Sequence, residues 1–335
     1  MPAVAWRPAH APDAPDLSSI IAVVGALDGR LVAIGFDGGF GSILWSTTDT
    51  QTWSDVTPAD FPSAGVAGIT QLGDLVVAVG RGDTIDVDAN LAAVYLSDDG
   101  LTWRQAATRI DGQLIDVVTT NDGLYAVGGV PTGDSAGVWH SMDGEAWERI
   151  GPDFEHAFLW SIAEGGPGLV AVGWRRNPDP DLSVWTSPDG NEWTLAPDPE
   201  GFAGFEATDV TATPDGTLVM AGSAFDGSGG RIWTSTDGVR WELSDFEPDG
   251  GFARNLAWSP YGVIAVGARD EAGVAWISPD GGRTWEPLGD PIPDAYLNSA
   301  YVSDGGLVFV AGGTQTGTIE TGITGRAMIW NGAFD

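Results

Sequence analysis

Short apolar runs, each broken by glycine or by an aspartate-glycine pair, recur along the whole chain. Leu31-Val32-Ala33-Ile34-Gly35 and Leu169-Val170-Ala171-Val172-Gly173 show the form: small or branched residues ending in glycine. Before each such run stands another of mixed character, such as Leu114-Ile115-Asp116-Val117-Val118. The two are joined by a tight turn, often Asp-Gly, as at Asp28-Gly29, Asp122-Gly123 and Asp215-Gly216. A variable loop then leads to a third run built around an aromatic residue: Trp45, Tyr95, Trp139, Trp185, Trp233, Trp276 or Trp330. Runs of this length, rich in β-branched residues and punctuated by turn formers, predict strands. No segment sustains a helical period, so an all-β chain is expected.

One phrase closes the units. It reads Ser-x-Asp-Gly-x-x-Trp at Ser187–Trp193 and Ser235–Trp241, with close copies starting at Ser97, Ser141 and Ser278 and a degenerate one at Thr47-Thr48-Asp49-Thr50. The closing tryptophans are residues 53, 103, 147, 193, 241 and 285, a period of 44 to 50 residues. That period belongs to a four-stranded propeller blade. Met328-Ile329-Trp330-Asn331-Gly332 matches the strand before the phrase, and Trp6-Arg7-Pro8 matches the strand after it. The N-terminal strand is therefore predicted to supply the outer strand of the last blade. This closes a ring of seven blades and leaves no sheet edge open. The expected organisation is one domain over residues 1–335, with blades near 17–57, 64–107, 112–151, 157–197, 205–245, 252–288, and 296–331 plus 3–8.

The phrase has a structural logic. Aspartate accepts hydrogen bonds from the backbone of a tight turn, glycine supplies positive φ, and tryptophan packs a large apolar surface between blades. The phrase resembles the Asp-box, or BNR repeat, of seven-bladed propellers related in a broad sense to sialidases, and the resemblance runs through nearly the whole chain. It implies that Asp49, Asp99, Asp143, Asp189, Asp237 and Asp280 are scaffold, and that ligands bind on the opposite face.

Composition narrows the chemistry. The chain has no cysteine, which excludes disulfides, thiol nucleophiles and thiolate metal sites. Its net charge is −33, from 47 acids against 14 basic residues, all of them arginine. Such a surface repels phosphate backbones and anionic membranes, so neither nucleic acid nor membrane insertion is expected. The first residues, Met1-Pro2-Ala3-Val4-Ala5-Trp6, lack the basic and apolar regions of a signal peptide, which leaves the compartment open. A monomer is expected.

Subtracting what the repeat explains leaves the candidates for function. Thirteen of the 16 tryptophans are blade residues; Trp160, Trp174 and Trp258 are not. Trp174 opens a loop with Arg175 and Arg176, a pairing suited to stacking on sugars and to holding carboxylates. Trp160 is expected near the central channel, and Trp258 in the core. Aligned inner strands place Ala22, Ala67, Asp116, Ser161, Asp209, Asn255 and Asn298 or Ser299 at one level, so Asp116, Asp209 and Asn255 are expected to line the channel. Arg254 beside them is a rare cation. Oxygen ligands of this kind suit Ca²⁺ or another divalent cation. A second, weaker metal candidate is Asp86-Val87-Asp88-Ala89-Asn90, with alternating oxygen donors in Asp86, Asp88 and Asn90 but no EF-hand glycine or distal glutamate. His140 is expected to be structural; His10 and His156 fall on site-face loops.

The expected function is a non-catalytic binding or scaffold propeller that recognises a glycan, peptide or protein opposite the repeated turns. The alternative is a glycoside hydrolase-like enzyme using paired acids at the channel mouth. Carboxylates available on that face are Asp60, Asp153, Glu155, Glu200, Glu206, Glu247 and Asp294.

Overall fold

The computed structural model describes residues 4–9, 18–37, 41–58, 61, 65–82, 91–108, 110–129, 135–176, 179–197, 201–303, 305–315 and 325–334. These form seven antiparallel sheets, with a single 3-10 turn at Leu27–Gly29 as the only helix among them. Blade 4 shows the plan: inner strand Ala157–Gly165, then Gly168–Arg176, Pro180–Ser187 and a short outer strand Thr194–Leu195. Blade 6 gains a further edge strand, Ile292–Pro293, paired to Ala272–Ser278. In blade 7, Arg7–Ala9 pairs antiparallel with Ala327–Ala333 and completes the sheet from the other end of the chain. Neighbouring inner strands lie against one another all the way round, from Ser19–Gly25 of blade 1 back to Ala295–Val302 of blade 7.

The core is divided among the seams. The described residues contain seven apolar clusters, and each joins two adjacent blades. The third-strand aromatic and the closing tryptophan of one blade sit together on the preceding blade. Trp233 and Trp241 of blade 5, for example, pack with Val170, Val172 and Val184 of blade 4. The segment that leads into each of several blades adds an aromatic edge-on: Phe154, at the end of an outer strand, onto Trp185 and Trp193, Phe202 onto Trp233, Phe246 onto Trp276 and Trp285. Removing a tryptophan from such a seam is expected to cost about 3–5 kcal/mol.

The repeated turns are built as their residues require. In blade 4 the Ser187 hydroxyl accepts from Gly190 N–H at 2.8 Å. Asp189 Oδ1 accepts from Asn191 N–H at 2.9 Å and Glu192 N–H at 3.1 Å, and the Trp193 indole donates to the Gly190 carbonyl at 2.7 Å. Blade 5 repeats the set with Ser235, Asp237, Gly238 and Trp241. Gly190 takes φ +80, and a Cβ there would stand 2.6 Å from Tyr125 of the preceding blade, so both backbone and neighbour demand glycine. These bonds hold the turn aspartates below the ordinary carboxylate range; Asp99 falls to about 2, chiefly through Thr102 N–H. Blade 1 departs from the pattern in that Thr50 occupies the glycine position at φ 62, and the buried indole N–H groups of Trp53 and, in blade 2, Trp103 find no acceptor among the described residues.

Candidate functional site

Every inner strand carries a β-bulge at the same level. The ladder skips one residue in each: Ile21, Ala67, Ile115, Trp160, Thr208, Arg254 and Asn298. The glycine that ends each second strand explains where. Gly173 pairs with Leu159 just before the skipped Trp160, and a Cβ on it would overlap the Phe158 carbonyl oxygen. Gly128, Gly267 and Gly312 stand in the same relation to the inner-strand carbonyls of Gln113, Phe252 and Tyr296. A bulge re-aims the residue it leaves unpaired. All seven skipped residues line one cavity of about 480 Å³ on the ring axis.

In five blades the residue after the skipped one stitches its blade to the next. Ile162 N–H of blade 4 donates to Asp116 Oδ2 of blade 3 at 3.0 Å, and Val210 N–H of blade 5 donates to Ser161 Oγ at 3.3 Å. Leu256 N–H of blade 6 donates to Asp209 Oδ2 at 2.7 Å, and Ala300 N–H of blade 7 to Asn255 Oδ1 at 3.1 Å. Val23 N–H of blade 1 closes the circuit on Ser299 Oγ at 3.3 Å. Ala22 and Gly68 hold the remaining two places. Gly68, not Ala67, is therefore the seventh member of this level. A Cβ at Gly68 would stand 3.0 Å from the Asp116 backbone, so blades 2 and 3 meet by close approach.

Ser161 joins two acids. Its hydroxyl lies 2.9 Å from Asp116 Oδ2 and 2.6 Å from Asp209 Oδ1. A hydroxyl has one hydrogen and can satisfy only one of these contacts as donor. The trio is satisfied when one carboxyl is protonated: Asp209 gives its proton to Ser161, and Ser161 gives its own to Asp116. The surroundings agree. Burial pushes Asp209 up to about 7, with the Asp116 charge adding to the effect, and burial also raises Asp116 against the pull of Ile162 N–H. Both residues keep some surface on the channel wall, but they lie deep within the ring. Asp209 also accepts from Val210, Leu256 and Asn255, so its oxygens are committed to the seams.

The mouth of the channel lies where the inner strands begin, opposite the repeated turns. There Trp160 is 37% exposed. Its ring meets Phe158 at 4.5 Å between centroids, and Phe158 in turn stacks on Trp174 at 6.2 Å and 11°. The three rings form a ledge on blade 4, half-buried except for Trp160. Arg175 is half-buried beside it, and Arg176 lies over the Trp174 ring at 5.9 Å. Across the mouth, Arg254 is exposed over Phe252 at 5.6 Å. Burial raises Glu206, while the charge of Arg254 opposes the shift. Phe158, Glu206 and Phe252 each stand two residues ahead of a skipped residue. The glycine-terminated second strands mark that position in the sequence, yet only the aromatic or charged nature of each residue hints at use.

Other expectations fall differently. Trp258 is 39% exposed and not a core residue, because it lies near the far end of its strand beyond the packed seams. His140 is structural: Nε2 is 2.8 Å from the Asp122 carbonyl and the ring packs on Tyr125. His156 sits exposed at φ 57 in a tight connection. Asp153 is paired with Arg149 at 2.6 Å. Asp86, Asp88 and Asn90, with His10, Asp60 and Glu200, lie outside the described residues. Among those described, no three side chains of histidine or acid are grouped to hold a metal ion, and no helix is long and apolar enough to cross a membrane.

No family profile and no curated protein matches the chain. Solved structures do. The GH74 xyloglucanase from Xanthomonas campestris superposes with a TM-score of 0.62 at 19% identity over 96% of this chain, which spans only 55% of that enzyme. Polysaccharide lyase Uly1 gives 0.63 at 11% identity, covering 94% of this chain and 89% of the lyase. The phage phi92 endosialidase gives 0.59 at 10% identity, covering all of this chain and 70% of its own. At these identities the likeness establishes the seven-bladed propeller and nothing finer.

Proposed function

We propose that this protein binds a carbohydrate at the channel mouth, on the face opposite the repeated turns, and that those turns are Asp-boxes serving as scaffold. The reading is carried by Trp160, an exposed tryptophan buttressed by Phe158 and Trp174 beside a polar cavity. A pre-positioned ring loses little freedom on stacking against a sugar face, and its neighbours fix its plane. Arg175, Arg254 and Glu206 supply directional hydrogen bonds around the ledge. Asp116, Asp209 and Asn255 form the floor of the site and keep it rigid. The solved propellers that act on polysaccharides agree in architecture.

A glycan panel tested by calorimetry decides the matter. At least one oligosaccharide should bind, and Trp160→Ala should weaken it tenfold or more, about 1.4 kcal/mol, without lowering the melting temperature. No binding to any saccharide, or binding indifferent to Trp160, would sink the proposal.

One observation favours a second reading, a glycoside hydrolase-like enzyme. Glu206 is a mouth carboxyl whose burial favours the protonated form, as a general acid requires. A hydrolase also needs a second carboxylate at defined separation. Release of reducing ends that disappears in Glu206→Gln, while binding persists, would establish it.

A further inference from the structure

We propose that the ligand of this face is an anionic saccharide, one bearing carboxylate or sulfate groups, gripped by arginines on the rim of blades 4 to 6. The inference rests on the carbohydrate reading above and names its substrate class.

The protein holds 47 acids and 14 basic residues, so an arginine has no shortage of partners. Several find them: Arg104 pairs with Glu145, Arg149 with Asp153, Arg240 with Asp237 and Arg269 with Asp249. Arg176, Arg231 and Arg254 do not. All three are exposed, and none forms an ion pair with a described carboxylate. Each lies instead over an aromatic ring: Arg176 over Trp174 at 5.9 Å, Arg231 over Phe205 at 4.6 Å and Arg254 over Phe252 at 5.6 Å. They belong to three successive blades and to one face. Arg176 ends a second strand, Arg231 lies near the start of a third strand and Arg254 near the start of an inner strand, all at the end opposite the turns.

A guanidinium held over a ring has its direction set while its N–H donors stay open to a ligand. That fork matches the planar oxygens of a carboxylate, or two oxygens of a sulfate. Of these donors, one on Arg231 reaches the Gly201 carbonyl, at a long 3.5 Å. The overall negative charge opposes anion binding only weakly at this range, because the Debye length is about 8 Å at physiological salt. Glu206 competes for Arg254, and its burial weakens that claim by favouring the neutral carboxyl. A sugar polymer with about one charge per residue can meet three fixed arginines beside the Trp160 ledge. A densely charged phosphate backbone would also meet the acidic remainder of the surface.

The test compares uronate-containing and sulfated oligosaccharides with their methyl-esterified and desulfated counterparts, on an array and then by calorimetry. An equal-length single-stranded oligonucleotide serves as competitor. The charged member of a pair should bind at least tenfold more tightly than its neutral twin. Arg254→Ala should reduce that preference about fivefold, and the triple replacement of Arg176, Arg231 and Arg254 by alanine should abolish it with an unchanged melting temperature. Equal or tighter binding of neutral saccharides, with the arginine variants unaffected, overturns the inference; if Trp160→Ala still abolishes that binding, the carbohydrate reading survives. Displacement by the oligonucleotide at matching concentration also overturns it. If no saccharide of either kind binds, both proposals fall.

Discussion

The proton shared at Asp116, Ser161 and Asp209 should make the protein lose stability as pH rises from about 4 to 7. Asp209 has a folded pKa of about 7 against an unfolded value of 3.8. Between these values the folded chain holds a proton that the unfolded chain has released. Stability must then fall with rising pH, by at most about 1.4 kcal/mol per pH unit for one proton. The contribution is complete below pH 3.8 and absent above about 7. The turn aspartates have the opposite sign: their lowered pKa values stabilise the fold above 3.8, and that support is lost as pH falls toward 2. The two effects occupy separate windows. Asp116 and Glu206 are also raised and add to the decline, but Asp209→Asn isolates the shared proton. An amide at residue 209 can donate permanently to Ser161 while its oxygen still accepts from Leu256 and Asn255, and Val210 N–H, which loses Oδ1, keeps its contact with Ser161 Oγ. Melting temperature is the readout, followed from pH 4.5 to 8 at fixed ionic strength. The parent should lose roughly 2–3 °C per pH unit, given the usual sensitivity of a chain this long. Asp209→Asn should flatten that slope and exceed the parent at pH 8. A flat parent curve, or an unchanged slope in the variant, would refute the shared proton.

Two further predictions concern the turns. Thr50→Gly should raise stability by up to about 1 kcal/mol, because it relieves a β-branched residue at φ 62; a lower melting temperature would show that Thr50 is not strained. Ser187→Ala should cost roughly 1–2 kcal/mol in denaturant unfolding, since the Gly190 N–H loses its acceptor in a buried turn; a cost below about 0.5 kcal/mol would mean that water replaces the hydroxyl.

The fold was legible because the repeat states its own geometry. Period, turn residues and closing tryptophans predict blade, count and closure together, and Trp6-Arg7-Pro8 locates the strand that seals the ring. The site was legible only in part. Aligning apolar runs brings Asp116, Ser161, Asp209 and Asn255 to one level, which the structure shares, but takes Ala67 for Gly68. It also assigns a binding role to acids that the structure ties into seams. The bulge hides which side chains face the seam and which the cavity: a skipped residue shifts the alternation by one, and an alternating pattern read straight through cannot show it. Trp258 was misplaced because inner strands outrun the seam clusters at their far ends. Arg231 is missed because its partner Phe205 lies on another strand, and Phe158 and Phe252 because the bulge between them and Trp160 or Arg254 is invisible in the alternation.

The bulge also separates stability from recognition at adjacent positions. Asp116, Ser161, Asp209, Asn255 and Ser299 each receive an N–H of the next blade, so changing them breaks a buried hydrogen bond between blades. Of their immediate predecessors, Ile115, Trp160 and Arg254 are skipped by the ladder and line the cavity without a seam hydrogen bond, so they can vary with little effect on the sheet, whereas Thr208 and Asn298 also bond across seams, to the Ala253 carbonyl and to Ser19 and the Ile20 carbonyl. Neighbouring substitutions should therefore behave oppositely. Asn255→Ala removes the acceptor of Ala300 N–H and a donor to Asp209, and should cost roughly 1–3 kcal/mol. Arg254→Ala, one residue away, should leave stability within about 0.5 kcal/mol. Chemical denaturation of the two variants measures the contrast, and similar costs at both positions would show that the bulge does not divide the two roles.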